Sequence, residues 1–463
     1  MRPRFCALLL ALLSLVVLTG CWEEPAAPTD MEEFLPTKEE AEPAEAPRAT
    51  LPASFALPYT ARQTLDPITC PDGMQQVVGS LLYEGLFRLD EALEPQKALC
   101  GEYICDAEGL TYTFTLRSGV VFSDGSPLTG EDVAATLRRA MASDRYRTRL
   151  YQVSSVAASG STVTVTLSVP NTALPALLDI PIVKAGTETD LVPLGTGPYC
   201  FTSDESSATL TATGNISFQD ADTTVMQYIG FNFSRAPFDQ PALRQALGLG
   251  IDRDSAVSAF LSGHGTAAQL PVSPVSPLYP AALETAYSHD AFASAMAQAG
   301  YASGTPRTVT LLVNEESSFK VSVASYLASS LSAFDLQIEV RVLPWEEYMA
   351  ALSTGDFDLY YAEVKLTADW NLIRLLGTSG SLNYGGWSDV QTDRLLAQYA
   401  SAGDRAAAME ALCAYLQKQA PILPVCFKST SVLYQTGVVE NLTPTMQEPF
   451  YSLSSCVIRL QAS

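Results

Sequence analysis

Chemistry needs side chains that titrate, attack or ligate, and this chain is sparing with the most versatile of them. It carries two histidines, His264 and His289, in 463 residues. A Ser-His-Asp triad would have to use one of them, and neither stands near a nucleophile elbow. His264 lies between glycines in SGHGTA and His289 among small polar residues, contexts that favour loop histidines over ligand contacts. Cys100 and Cys105 form a C-x4-C pair, but no second Cys or Cys/His pair follows to complete a zinc site. HExxH, Walker A and GxGxxG motifs are all missing from the sequence. The 50 Asp and Glu leave a carboxylate-pair glycosidase open by motif alone. No catalytic residue, metal site or cofactor is expected.

Composition agrees. Against those 50 acids stand 27 Lys and Arg, a formal net charge of −23. A nucleic-acid binder needs Lys and Arg to displace counterions, so that class is set aside. With 47% hydrophobic and 17% charged residues the chain can bury large cores, and its length suits about two or three domains. Cys6 falls in the leader and Cys21 directly after it, where it would carry lipid, leaving an odd number, seven. Cys413 and Cys426 sit in apolar runs where a buried free thiol is the default. Zero or one disulfide is expected, with Cys100–Cys105 the candidate pair.

The N-terminus reads as an address. Arg2 and Arg4 precede an apolar run from Phe5 to Leu18, too short to span a bilayer comfortably. It ends in Leu18-Thr19-Gly20-Cys21, which resembles the bacterial lipobox, so residues 1–20 are expected to be a signal peptide and Cys21 the lipid attachment point. A plain secretion signal with a chance cysteine is the alternative. Residues 21–54 are rich in Pro, Glu and Ala and read as an acidic tether, with a helix over 31–42 as the competing reading.

Beyond the tether, period-two alternation in LTYTFTL (110–116) and TVTVTLSV (162–169) predicts strands. Thr129 followed by Asp132 predicts a capped helix over 129–141. Pro241 lies in the first turn of another helix, with Asp239 as its expected N-cap. Helices fit 318–332, 345–354, 389–400 and 404–419, while 308–314 and 336–343 read as buried parallel strands. An Arg244–Asp252 ion pair is the favoured reading of those two residues. The glycines of Gly195-Thr196-Gly197-Pro198-Tyr199 mark a bend or a close backbone approach. The fold class is therefore mixed α/β with more than one lobe.

Several motifs in order then resemble one family. They are Leu65-Asp66-Pro67 with LYEGLFRLD (82–90), GLTYTFTLRSGVVFSDGSPLTGEDV (109–133), LGTGPYCF (194–201), FNFSRAPFDQPALRQALGLGIDRDSAV (231–257), WEEYMAAL with GDFDLYYAE (345–363), and APILPVCF (420–427). Together they resemble the extracytoplasmic solute-binding proteins of peptide and nickel ABC importers, the family 5 type, over roughly residues 60–460. The resemblance implies a two-lobed, type II periplasmic-binding-protein-like fold with a hinge. Lobe 1 would comprise 55–235, with an extra subdomain at about 90–190, and 424–463 on the return; lobe 2 would comprise 236–423.

The resemblance also implies a site. The family's peptide binders place an acidic residue after the strand equivalent to FDLYYAE, and here Asp369-Trp370-Asn371 occupies that place. A buried ammonium needs a carboxylate partner, which is the role implied for Asp369. The same Asp369 reads equally as a helix cap. Asn383, Tyr384 and Trp387 resemble a cleft-lining segment or form a packed aromatic turn, and Asp72, Gly73 and Met74 occupy the first-lobe ligand loop. The implied function is capture of a small peptide or similar solute by a lipid-anchored, monomeric receptor outside the bacterial cell membrane, for delivery to ABC permease subunits. A nickel-chelate or other solute binder and a ligand sensor without transport are the alternatives.

Overall fold

The computed structural model describes residues 63–71, 73–201, 216–435 and 439–458. The signal, Cys21, the tether and Asp72 lie outside these described residues.

The alternating strands form as their patterns dictate. Thr111–Leu116 and Thr162–Leu167 pair antiparallel within a four-stranded sheet, flanked by Cys100–Cys105 and Val153–Ser159. Along each, every second side chain is buried. Helix Gly130–Ala142 covers this sheet and packs Val133 and Leu137 against Phe114, Val163 and Val165. Its start is a complete capping box: Thr129 N donates to Asp132 Oδ2 at 2.9 Å, and Asp132 N donates to Thr129 Oγ1 at 3.4 Å. Cys100 and Cys105 stand at opposite ends of one strand and are both free. Five extended steps separate them by roughly 16 Å, beyond the reach of a disulfide.

The larger sheet has six strands, in the order Leu336–Leu343, Arg307–Asn314, Leu359–Lys365, Ile216–Phe231, Ile422–Gln435 and Gly265–Ala267. The first three run parallel; the two long strands run antiparallel to each other. Alternation sorts its side chains into two cores: Leu311, Val313, Leu359 and Tyr361 join one, Leu312 and Tyr360 the other. Covering both faces explains the near-continuous apolar runs in these strands. One core body thus draws on residues between 68 and 182, and the other chiefly on residues between 226 and 427.

Helices Ser318–Leu331, Trp345–Thr354, Val390–Ser401 and Arg405–Gln419 fall within about a residue of the expected spans, the last two capped by Asp389 and Asp404. Two local expectations are corrected. The helix after Pro241 is capped by Gln240, because proline takes the first helical position and leaves the residue before it as the cap. Arg244 makes no ion pair with Asp252. Its guanidinium is buried and donates to the carbonyls of Phe238, Gln419 and Ala420, while Asp252 caps helix Arg253–Leu261 by accepting from Ser255 N at 3.0 Å. At Gly195 and Gly197 the backbone passes so close to Leu82 and Leu81 that a Cβ would lie 2.0 and 2.3 Å from their carbonyl oxygens.

Candidate ligand-binding site

Strand Leu359–Lys365 delivers the chain to a tight loop. Leu366 is tied on both sides to Thr224: its N donates to Thr224 O at 3.0 Å and its O accepts from Thr224 Oγ1 at 2.7 Å. Three residues later the chain turns, with Trp370 N donating to Thr367 O at 2.9 Å and Trp370 itself in the left-handed region at φ 54°. A bulky residue holds that conformation only where its surroundings over-determine it. Trp370 is fully buried, edge-on to Phe427 at 5.9 Å, and its Nε1 finds no acceptor among the described residues.

This turn fixes Asp369. Its carbonyl accepts from Tyr399 Oη at 2.7 Å and from Arg405 at 2.8 Å, so two helices grip the backbone. Its Oδ1 accepts from Thr367 Oγ1 at 2.5 Å and Asn371 N at 3.3 Å. The next helix, Ile373–Leu376, is capped elsewhere, with Asn371 Oδ1 accepting from Ile373 N at 3.0 Å. Asp369 therefore closes its own loop and does not cap the helix.

The carboxylate is 3% exposed because the other body covers it. Asn171 Nδ2 donates to Asp369 Oδ2 at 2.8 Å and to Gln152 Oε1 at 2.9 Å. Asn171 is itself held, its Oδ1 accepting from Ala173 N at 2.9 Å and its carbonyl from Tyr112 Oη at 2.9 Å. Beside it Thr172 N donates to Ala400 O at 2.9 Å, a second bond between the bodies.

Arg149 completes the site. It is half-buried, paired with Asp179 and within electrostatic reach of Asp369. Burial pushes its guanidinium down to about 10, while the Tyr146 and Asp369 charges pull the other way. Arg405 is faced in turn by Glu94, whose carboxyl burial pushes up and Arg405 pulls down. Arg149 is thus engaged by Asp179, and Arg405 holds the Asp369 carbonyl, so neither guanidinium pairs directly with the Asp369 carboxylate among the described residues. The Tyr151 phenol, raised by burial, reaches Gln152 and Asn371 at the rim of the site.

The other predicted residues lie apart. Asn383 ties its own turn: Nδ2 donates to Gly377 O at 3.0 Å and Trp387 O at 2.7 Å, and Oδ1 accepts from Trp387 N at 2.9 Å. Tyr384 packs edge-on to Tyr360 at 6.3 Å, and Trp387 packs against Phe233 at 4.9 Å and the Arg244 guanidinium at 5.5 Å. Gly73, at φ 90°, precedes helix Met74–Leu82, which begins with Met74. None of these joins the Asp369 network among the described residues. His264 is half-buried, its Nδ1 2.9 Å from Asp220 Oδ2, and His289 opens helix His289–Gln298. Asn171, Arg149, Gln152, Tyr399 and Arg405 were not foreseen as site residues. Only Pro170-Asn171 carries a local signal, and it reads as an ordinary turn.

Two mixed α/β bodies closed over a buried carboxylate have the architecture of a binding receptor. The chain belongs to the bacterial extracellular solute-binding proteins, family 5, whose model matches residues 94–212 and 202–371 and whose members bind and do not catalyse. A relative from Salmonella typhi, described as glutathione-binding protein GsiB, is 28% identical over 277 residues, 46% of this chain and 54% of the relative. The match thus spans about half the length of that relative. The GsiB of Pectobacterium atrosepticum is 26% identical over 424 residues, 74% of this chain and 82% of that one. Among solved structures, HbpA2 from Haemophilus parasuis superposes with a TM-score of 0.73 at 19% identity, over 87% of this chain and 98% of that one. A nickel ABC transporter protein from Bacillus halodurans gives 0.69 at 22%, over 84% and 96%.

Proposed function

We propose that this protein is the solute-capturing receptor of an ABC importer and takes a peptide or similar amine-bearing solute between its two lobes. One observation carries the reading: the Asp369 carboxylate is buried between the two bodies, held by Asn171 and Thr367, with no Lys or Arg at ion-pair distance among the described residues, which suits a ligand ammonium. A buried carboxylate is costly unless paired, so a cation entering beside Asp369 gains strong attraction in a water-poor setting. The glutathione-binding relatives fit this reading, since glutathione carries a free amine.

In this proposal lobe 1 spans 55–235 and 424–463, with its subdomain at about 90–190, and lobe 2 spans 236–423. Hinge closure brings Asn171 onto Asp369 over the ligand. Cys21 carries the lipid that holds the receptor outside the cell membrane, within reach of the permease.

Native mass spectrometry of residues 52–463, purified gently, tests the ligand. A co-purified mass that fragments into amino acids supports a peptide; a nickel isotope pattern moves the assignment to a chelate. Cys21→Ala should release the full chain from membranes into the medium or periplasm. Loss of solute uptake on deleting the gene separates transport from sensing.

A further inference from the structure

A cavity of about 440 Å³ lies apart from Asp369. Its described lining comes from residues 80–89, 97–98, 117, 179–181, 196–198 and the C-terminal stretch 445–454, with none from 236–423. That volume is in the range of small-molecule sites.

The lining carries charges of both signs. Arg88, Lys97 and Arg117 face Glu84, Asp179 and Glu448 across it. These charges are loosely engaged with one another: Arg117 stands 3.8 Å from Glu84, and the Arg88 guanidinium lies over the Tyr451 ring at 4.5 Å, leaving its edge for a partner. The cavity also gathers polar atoms that lack hydrogen bonds. Thr196 Oγ1 and Thr445 Oγ1 have no hydrogen-bond partner among the described residues. Thr445 is 4% exposed, so its hydroxyl is poorly served by bulk water. Buried polar groups are nearly always satisfied, and two hydroxyls left open around one charged cavity mark a missing polar occupant. Burial pushes the Glu448 carboxyl up, a rise that the nearby Arg88 only partly opposes.

We infer that this cavity is a second binding site, for a small zwitterion of free amino-acid type. Its carboxylate meets Arg88 and Arg117, its ammonium meets Glu448 and Glu84, and the hydroxyls of Thr196 and Thr445 complete the shell. Lining charges of both signs select a molecule that carries both. A simple anion or cation would leave one set of charges unmatched.

Calorimetric titration of the ligand-stripped full chain with each common free amino acid tests it. At least one should bind, with affinity unchanged in Asp369→Asn and about tenfold weaker in Arg117→Gln and in Arg88→Gln. Arg117 is half exposed, so its variant should fold, and a melt by circular dichroism checks both. The inference is overturned if no free amino acid binds. It is equally overturned if binding is insensitive to both arginine variants, or disappears in Asp369→Asn alone.

Discussion

Asn171 and Asp369 lie 198 residues apart in sequence, yet Asn171 Nδ2 and Asp369 Oδ2 are 2.8 Å apart across the boundary between the two bodies. The donor belongs to a turn locked to the four-stranded body, the acceptor to a loop locked to the six-stranded sheet. A bond between two rigid anchors reports whether the bodies are together, so the closed arrangement and the buried charge stand or fall as one.

Asp369→Asn keeps the shape and removes the charge. An amine-bearing ligand should bind about 3–5 kcal/mol more weakly, the range for breaking a buried pair. Titration calorimetry with the co-purified ligand measures it, and an unchanged affinity would remove Asp369 from the site.

Asn171→Asp sets a second carboxylate against the first. Like charges so close cannot both stay ionised, and separation of the bodies relieves them. Small-angle scattering should show a larger radius of gyration at pH 7 than for the parent, shrinking again as the pH falls through the carboxylate range. Asn171→Ala should cost less, about 1.5–3 kcal/mol for a hydrogen bond to a charged acceptor.

Arg244→Met leaves the carbonyls of Phe238, Gln419 and Ala420 without their donor inside a packed core. Unfolding free energy in urea should drop by about 3–5 kcal/mol, with ligand affinity of the folded fraction unchanged.

Glu448 titrates above its ordinary value because burial penalises the anion. A carboxyl whose folded pKa is raised binds more protons folded than unfolded. Its contribution is therefore most favourable below the unfolded value and is lost as pH rises through the folded one. Glu448→Gln should raise the melting temperature at pH 7, with the gain vanishing near pH 4; a gain that persists in acid would contradict the shift.

Cys413 and Cys426 are buried, and burial pushes both thiols up to about 12. Neither should react with iodoacetamide until the protein is unfolded, whereas exposed Cys105 and Cys200 should be alkylated in the native state. Peptide mass mapping reads the order.

The fold was largely legible because its signals are local. TYTFTL and TVTVTL alternate with the pleat, Thr129 and Asp132 form a box three residues apart, and Asp389 and Asp404 stand where caps belong. Ordered motifs extended that reading to the family. Around Asp369 locality fails. Asn171, Arg149, Tyr399 and Arg405 reach it from separate elements, and nothing in their own neighbourhoods announces the meeting. The mistaken Arg244–Asp252 pair has the same origin: closeness in sequence suggested a partner, while the tertiary fold brought the carbonyls of Gln419 and Ala420 from afar to join that of Phe238.

The long strands Ile216–Phe231 and Ile422–Gln435 are paired from Gly230–Ile422 to Ile216–Gln435, and their outer halves continue beyond the reach of the strands on either side. Two independent connectors could twist, slide and splay, giving the moving bodies many relative poses. Laced together, under the proposed closure they would act as one leaf spring flexing about a single line, its stiffness set by the rungs that lace it.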